Sequence, residues 1–307
     1  MSFMENLNTS YKYVVENSSH VEINYDNVDK LLSKINTNSI KYWLDSNPYN
    51  ILDMSTEDII NFLAIYHTIG DYCFWGDPKW TIQTDKGLMD GSYAIMYLIV
   101  KYYKENKNFN ISLNDFKKLL TGNVEIPLLD DRYNNLTILY EFLKDDSFYN
   151  KIKDKTNDNE LLEYIVNNLP YFEDKSIYKG KMIYFYKRAQ LLTSDILHIL
   201  ESKDKKNVDY SHLIGCADYK IPQVMYCYNL LKYDAELTKK VDNLIPIEAD
   251  SEEEIEIRAA DLEVIDYIYN RLEKKYAKIN INDFIWLLSQ DKKEMKKPYH
   301  RTLTNHY

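Results

Sequence analysis

Asp218 lies in the stretch Gly215-Cys216-Ala217-Asp218-Tyr219-Lys220-Ile221-Pro222-Gln223, among small residues and four positions before a proline. Proline suits the first position of a helix, because its missing N–H would have no partner there. That spacing predicts Asp218 just outside a helix N-terminus. The dipole and the free amides there favour the ionised form. A carboxylate held ionised in a cleft can serve as a base, as a nucleophile or as a partner for a developing cation. The competing role for such an Asp is an ordinary cap or turn.

Three other stretches carry chemistry-bearing side chains. In Tyr186-Lys187-Arg188-Ala189-Gln190-Leu191-Leu192-Thr193-Ser194-Asp195, Arg188 and Asp195 are two helical turns apart and share a face with leucines between them. Buried charges are costly unless paired, so the pair reads first as a structural bridge. Lys187 is rotated towards a different wall. In Asp71-Tyr72-Cys73-Phe74-Trp75-Gly76-Asp77-Pro78-Lys79-Trp80, the rings of Phe74, Trp75 and Trp80 could stack on a planar base, with Asp77 accepting its N–H donors. A loop covering the core is the plainer reading. The stretch Pro298–Tyr307 offers His300, Arg301, Thr302 and Thr304 to a phosphate. Cys216 with His212 or His300 would make a thiol hydrolase, although such a Cys is more often a small buried residue.

Helices must position these groups. The 307 residues include only 7 Gly and 7 Pro, which favours helices over many short strands. Apolar spacing or caps predict helices over 26–37, from Ser55 through Leu63, over Tyr93–Tyr103, from Ser112 to Leu120, over 133–143 and over 159–168. Further helices are expected over Lys181–Leu200, from Ser251 to about Tyr276 behind a capping box with Glu254, and over 282–290. Thr81–Gln83 or Ile177–Tyr184 could hold a small β-hairpin. The expected architecture is all-α: one mostly helical domain over 1–307, with 1–20 as a flexible, polar N-terminal extension.

Charge and cysteines exclude some classes. A formal charge of -10 disfavours a general nucleic-acid binder, and no apolar run approaches a transmembrane length. Cys73, Cys216 and Cys227 form no C-x-x-C pair, which argues for reduced thiols and against a zinc site. With no signal-peptide pattern at the start, a cytoplasmic protein is expected.

Taken together, the chain resembles the queuosine salvage family, the queuosine 5′-phosphate N-glycosylases. The resemblance rests on Cys73-Phe74-Trp75, Ile126-Pro127-Leu128-Leu129 with Arg132, Tyr186–Leu191 with Asp195, and Ala217–Gln223. It continues through Glu254-Ile255-Glu256-Ile257-Arg258-Ala259, Asp283 with Trp286, and Pro298–Tyr307. Lys220 departs from it, because an arginine is more usual there. The resemblance implies an all-α fold similar to helical DNA glycosylases and hydrolysis of queuosine 5′-monophosphate to queuine and ribose 5-phosphate. It also implies no metal or organic cofactor. The expected partner is a small-molecule substrate rather than DNA or a membrane, and the expected state is a monomer. Asp218 is expected to be catalytic. Phe74, Trp75, Asp77, Tyr219 and Gln223 are expected at the substrate, with Lys187, His300, Arg301 and Tyr307 towards the 5′-phosphate. A DNA-glycosylase-like enzyme and a non-catalytic tRNA-associated protein are the alternatives. Arg188, Asp195, Glu254, Glu256 and Arg258 stay open between bridge and site.

Overall fold

The computed structural model describes residues 2–35, 42–46, 49, 51–106 and 109–307. In chain order its elements begin with α1 (Phe3–Glu16), β1 (Val21–Ile23), α2 (Val28–Leu32), α3 (Thr56–Ile69), β2 (Thr81–Thr84) and β3 (Gly87–Asp90). Then come α4 (Gly91–Asn106), α5 (Leu113–Leu119), α6 (Leu129–Phe142), α7 (Phe148–Ile152), α8 (Asp158–Asn168), β4 (Lys175–Tyr178), β5 (Lys181–Tyr184) and α9 (Lys187–Asp204). The order ends with α10 (Lys220–Cys227), β6 (Leu231–Tyr233), α11 (Ala235–Asp242), α12 (Glu252–Arg271) and α13 (Lys278–Leu288). Among the described residues the strands form three antiparallel pairs, β1–β6, β2–β3 and β4–β5. A mostly helical fold with small hairpins is therefore correct. No helix among the described residues is long and apolar enough to cross a membrane.

Local chemistry explains the boundaries. Ser55, Ser112 and Ser251 each accept a backbone N–H from the third residue on, as their sequence contexts predict. The predicted helix over Lys181–Leu200 is wrong in its first third. Lys179 and Gly180 both have positive φ, 46° and 80°, which closes the two-residue β4–β5 hairpin. Tyr178 pairs with Lys181 across it, and α9 starts only at Lys187.

The expected flexible extension over 1–20 also needs correction. A capping box between Ser2 and Glu5 opens α1, and Leu7, Tyr11 and Val14 form a buried stripe. Behind α1, the Glu256 carboxylate accepts the amides of Ser19 and His20 at 3.0 and 2.6 Å and the Tyr178 hydroxyl at 2.7 Å. Polar composition hid a three-residue apolar stripe and a buried anchor more than 200 residues away. Leu7→Ala should cost about 2–5 kcal/mol, the range for a buried leucine truncation. Chemical denaturation measures it, and a loss under about 1 kcal/mol would show α1 to be dispensable.

Two buried apolar clusters frame the site. The larger takes Leu63, Ile69, Leu192, Ile196, Leu213, Ile214, Cys216 and Ala217. The second takes Ile221, Val224, Val241, Ile257, Val264, Ile281 and Ile285. The segment around Asp218 runs from one to the other.

Candidate active site

A pocket partly open to solvent lies beside that segment. Trp43, Tyr66, Tyr72, Phe74 and Trp286 supply aromatic wall, and Lys187, Asp71, Asp218 and Asp283 supply charge or potential charge. Tyr219 and Tyr307 complete the arrangement. An aromatic lining with a few convergent polar groups suits a flat, polar ligand.

Each residue before Asp218 is fixed by a side chain from another helix. Gln190 of α9 accepts the Ile214 amide at 2.9 Å and donates to the Gly215 carbonyl at 2.9 Å. Asn282 of α13 accepts the Cys216 amide at 2.9 Å. Arg258 of α12 donates to the Ala217 carbonyl at 3.1 Å. Gly215 has φ 116°, and a Cβ there would meet Ile265 at 2.8 Å, so only glycine fits.

Asp218 is almost fully buried. Its Oδ1 accepts the amides of Lys220 at 2.7 Å and Ile221 at 2.9 Å. α10 begins at Lys220, so Pro222 is the third helical residue and not the first. The first two amides of the helix go to Asp218, and the third residue has none to offer. The expected ionising influence is therefore present, but it does not win. Burial pushes the Asp218 carboxyl above the usual carboxylate range, against the pull of Lys187 and the two amides.

The pocket's other acids differ. Asp283 is buried, and burial with nearby Asp195 drives its carboxyl strongly upward. Asp71 goes the other way. Burial opposes its ionisation, but the paired His67 outweighs burial and holds it below the usual range.

Asp195 and Arg188 do not pair with each other. Both grip His67: Asp195 Oδ2 lies 2.8 Å from its Nε2, and the Arg188 guanidinium donates to its backbone carbonyl. Arg188 also donates to the Thr68 carbonyl at 2.7 Å and the Asn305 carbonyl at 3.0 Å. Arg258 forms a two-pronged bridge to Asp174 at 2.9 and 2.6 Å, and Asp174 accepts the Lys187 amide at 3.0 Å. Arg188 and Arg258 thus position backbone around the pocket without lining it.

Of the residues expected at the substrate, Asp218, Phe74, Lys187, Tyr219 and Tyr307 line the pocket. The other five stand outside its lining. Trp75 donates from Nε1 to the Thr302 carbonyl at 2.8 Å, and the Arg301 guanidinium lies 5.8 Å from the Trp75 ring. Gln223 donates to the Lys297 carbonyl at 2.8 Å, and Asp77 is exposed. His300 is buried against the Tyr307 hydroxyl at 3.2 Å, and burial pushes it down to about 3. A neutral imidazole supplies no cation to a phosphate, so its expected role is not supported by its surroundings.

Sequence reasoning passed over Asp71, Trp43 and Asn282. Asp71 had one signal, its position four residues after His67, where a helix end brings the two together. Asp283 and Trp286, three apart on α13, both line the pocket. Cys216 lines it too, but burial pushes its thiol well up and its Sγ sits 3.7 Å from the Lys187 carbonyl. His212 is engaged instead by Asp158 at 2.8 Å. An unactivated thiol of this kind is a poor nucleophile. Two His–carboxylate clusters within metal-ligand reach, His20 with Glu252 and Glu256 and Asp158 with Asp209 and His212, share no residue with the pocket.

Fold and site define a helical protein with buried carboxylates in an aromatic pocket. Residues 50–307 match the family model described as queuosine salvage protein, and the chain belongs to that family. A queuosine 5′-phosphate N-glycosylase/hydrolase from Sphaerobacter thermophilus is 27% identical, with 97% of each chain covered. The proteins of that name from Mus musculus and Bos taurus are 25% identical over 97% of each chain and 30% identical over 64% of each.

Proposed function

We propose that the protein hydrolyses the N-glycosidic bond of queuosine 5′-monophosphate, releasing queuine and ribose 5-phosphate. The observation that carries this reading is a buried Asp218 in an aromatic pocket, in a chain of the queuosine salvage family. Cleavage passes through an oxocarbenium-like state, with positive charge growing at C1′ and the ring oxygen. A fixed carboxylate facing C1′ stabilises that charge or orients the attacking water. Asp218 takes this role in its ionised form. Two backbone amides fix its Oδ1, which leaves Oδ2 for the reacting centre.

The leaving base is a 7-deazaguanine, with carbon where purine hydrolases protonate N7. Its departure relies on tight aromatic binding and on donors to its remaining ring positions. Lys187, the only Lys, Arg or His in the described lining, is assigned to the 5′-phosphate. Purified protein incubated with queuosine 5′-monophosphate should release queuine; no release under any condition would refute the reading.

The phosphate assignment makes its own prediction. The monophosphate should exceed queuosine in kcat/KM by about 10- to 100-fold, the worth of one charge-assisted contact. Lys187→Ala should erase most of that preference when both substrates are compared at a pH high enough to keep Asp218 ionised, because Lys187 also draws that carboxyl down. Equal losses on both substrates would place Lys187 elsewhere.

A further inference from the structure

Asp71 stands at the end of a buried row of charges. Its Oδ2 meets His67 Nδ1, and His67 Nε2 lies 2.8 Å from Asp195 Oδ2. Asp195 Oδ1 in turn accepts from the Tyr42 hydroxyl and from Trp43 Nε1 at 2.9 Å. Both ring nitrogens of His67 face carboxylates, an arrangement that only the doubly protonated ring satisfies. Burial would lower His67, but the two acids outweigh it and raise it to about 9. One imidazolium between two carboxylates leaves the row itself with a formal surplus of one negative charge, partly offset by Lys187 and Arg188 nearby. Its outer end, Asp71, is the member of the row that lines the pocket.

The wall around that carboxylate is aromatic. Trp43 lies 6.1 Å from Tyr66 and 6.0 Å from Trp286 between ring centroids, the latter at 67°. All three rings line the same pocket as Asp71. A ring box with one fixed carboxylate is the chemistry that holds an ammonium group. The ring faces attract the cation, and the carboxylate accepts its N–H. The N–H edge of a neutral base also suits a carboxylate, and loss of activity on nucleotides with and without the amine would mark that use.

We propose that Asp71, with Trp43, Tyr66 and Trp286, forms a subsite for a cationic amine carried by the base, and that this subsite makes the enzyme prefer amine-bearing 7-deazaguanine nucleotides. Asp77, the acid expected to accept the N–H donors of the base, is exposed six residues away, whereas Asp71 lines the pocket. The inference rests on the proposed hydrolysis of queuosine 5′-monophosphate, whose base carries such an amine.

The experiment compares 7-aminomethyl-7-deazaguanosine 5′-monophosphate with 7-deazaguanosine 5′-monophosphate, which keeps the guanine edge, ribose and phosphate and lacks only the aminomethyl group. Asp71→Asn should lower kcat/KM for the first by on the order of 10- to 100-fold and for the second by less than about 3-fold. Trp286→Leu, which removes one ring and leaves the buried row intact, should shift the same ratio in the same direction. Equal losses on both substrates would overturn the proposal, because Asp71 would then hold a part common to both. Calorimetric binding of free queuine and 7-deazaguanine to the wild-type protein gives a second reading. Queuine should bind at least about 10-fold more tightly, and equal affinities would overturn the subsite. Tighter queuine binding by a protein that releases no queuine would leave the subsite standing and refute the hydrolysis.

Discussion

Asp218→Asn should lower kcat for queuine release by about 10²- to 10⁴-fold, the range for removing one group that acts on the transition state. The fold should persist. Asn keeps an Oδ1 that can accept the Lys220 and Ile221 amides, so the start of α10 stays satisfied. Substrate should still bind, because the aromatic wall and Lys187 are untouched. Stability supplies an independent check. Burial raises the folded Asp218 carboxyl above its unfolded value. Such a group favours the folded state below the unfolded pKa and loses that contribution as pH rises through the folded one. Near pH 7 the variant should therefore be at least as stable as wild type, with the difference shrinking as pH falls below the carboxylate range. Wild-type kcat/KM should also fall on the acid side at a pH above the ordinary aspartate range, because the ionised form reacts. Near-wild-type turnover in Asp218→Asn, measured by chromatography of released queuine, would remove Asp218 from the mechanism.

Arg258→Leu should destabilise the protein by about 3–5 kcal/mol, because it leaves the buried Asp174 charge without its partner. Asp174 is only 1% exposed and holds both guanidinium prongs. The same substitution frees the Ala217 carbonyl, so kcat should fall as well in whatever fraction stays folded. The pH dependence should change sign. In wild type, burial opposes ionisation of Asp174 but Arg258 prevails, and its carboxyl lies below the usual range. Its contribution is present above the unfolded pKa and is lost as pH falls through the folded one. Without Arg258, burial is opposed only by His306 and the Lys187 amide and should prevail, so stability should instead fall as pH rises past about 4. Asp174→Asn with Arg258→Met should recover part of the loss. Urea denaturation across pH decides it: a change under about 1 kcal/mol would mean that the bridge contributes little.

Helix caps and apolar stripes made α3, α5 and α12 legible, because each is specified within a few residues of chain. The β4–β5 hairpin was harder. Lys181–Leu200 has helical composition, and a two-residue turn with positive φ outweighed it at one end. α1 was missed because its stripe holds only Leu7, Tyr11 and Val14 in a polar stretch.

The same division runs through the site. The stretch around Asp218 marked the carboxylate proposed to react, since a short-range pattern placed it at a helix start and the family resemblance gave it a role. The sequence by itself determined the helical class, the carboxylate at the head of α10, and the pocket's Phe74, Lys187, Tyr219 and Tyr307. Tertiary structure alone decided that Asp71 and not Asp77 enters the pocket, and that His300 is buried and neutral. It alone brought Arg188 and Asp195 to His67 rather than to each other. It also decided that Asp218 lies above the usual carboxylate range despite its two amides. The reason is physical: a hydrogen bond to the next turn is encoded locally, whereas burial and charge pairing depend on groups that only folding brings together.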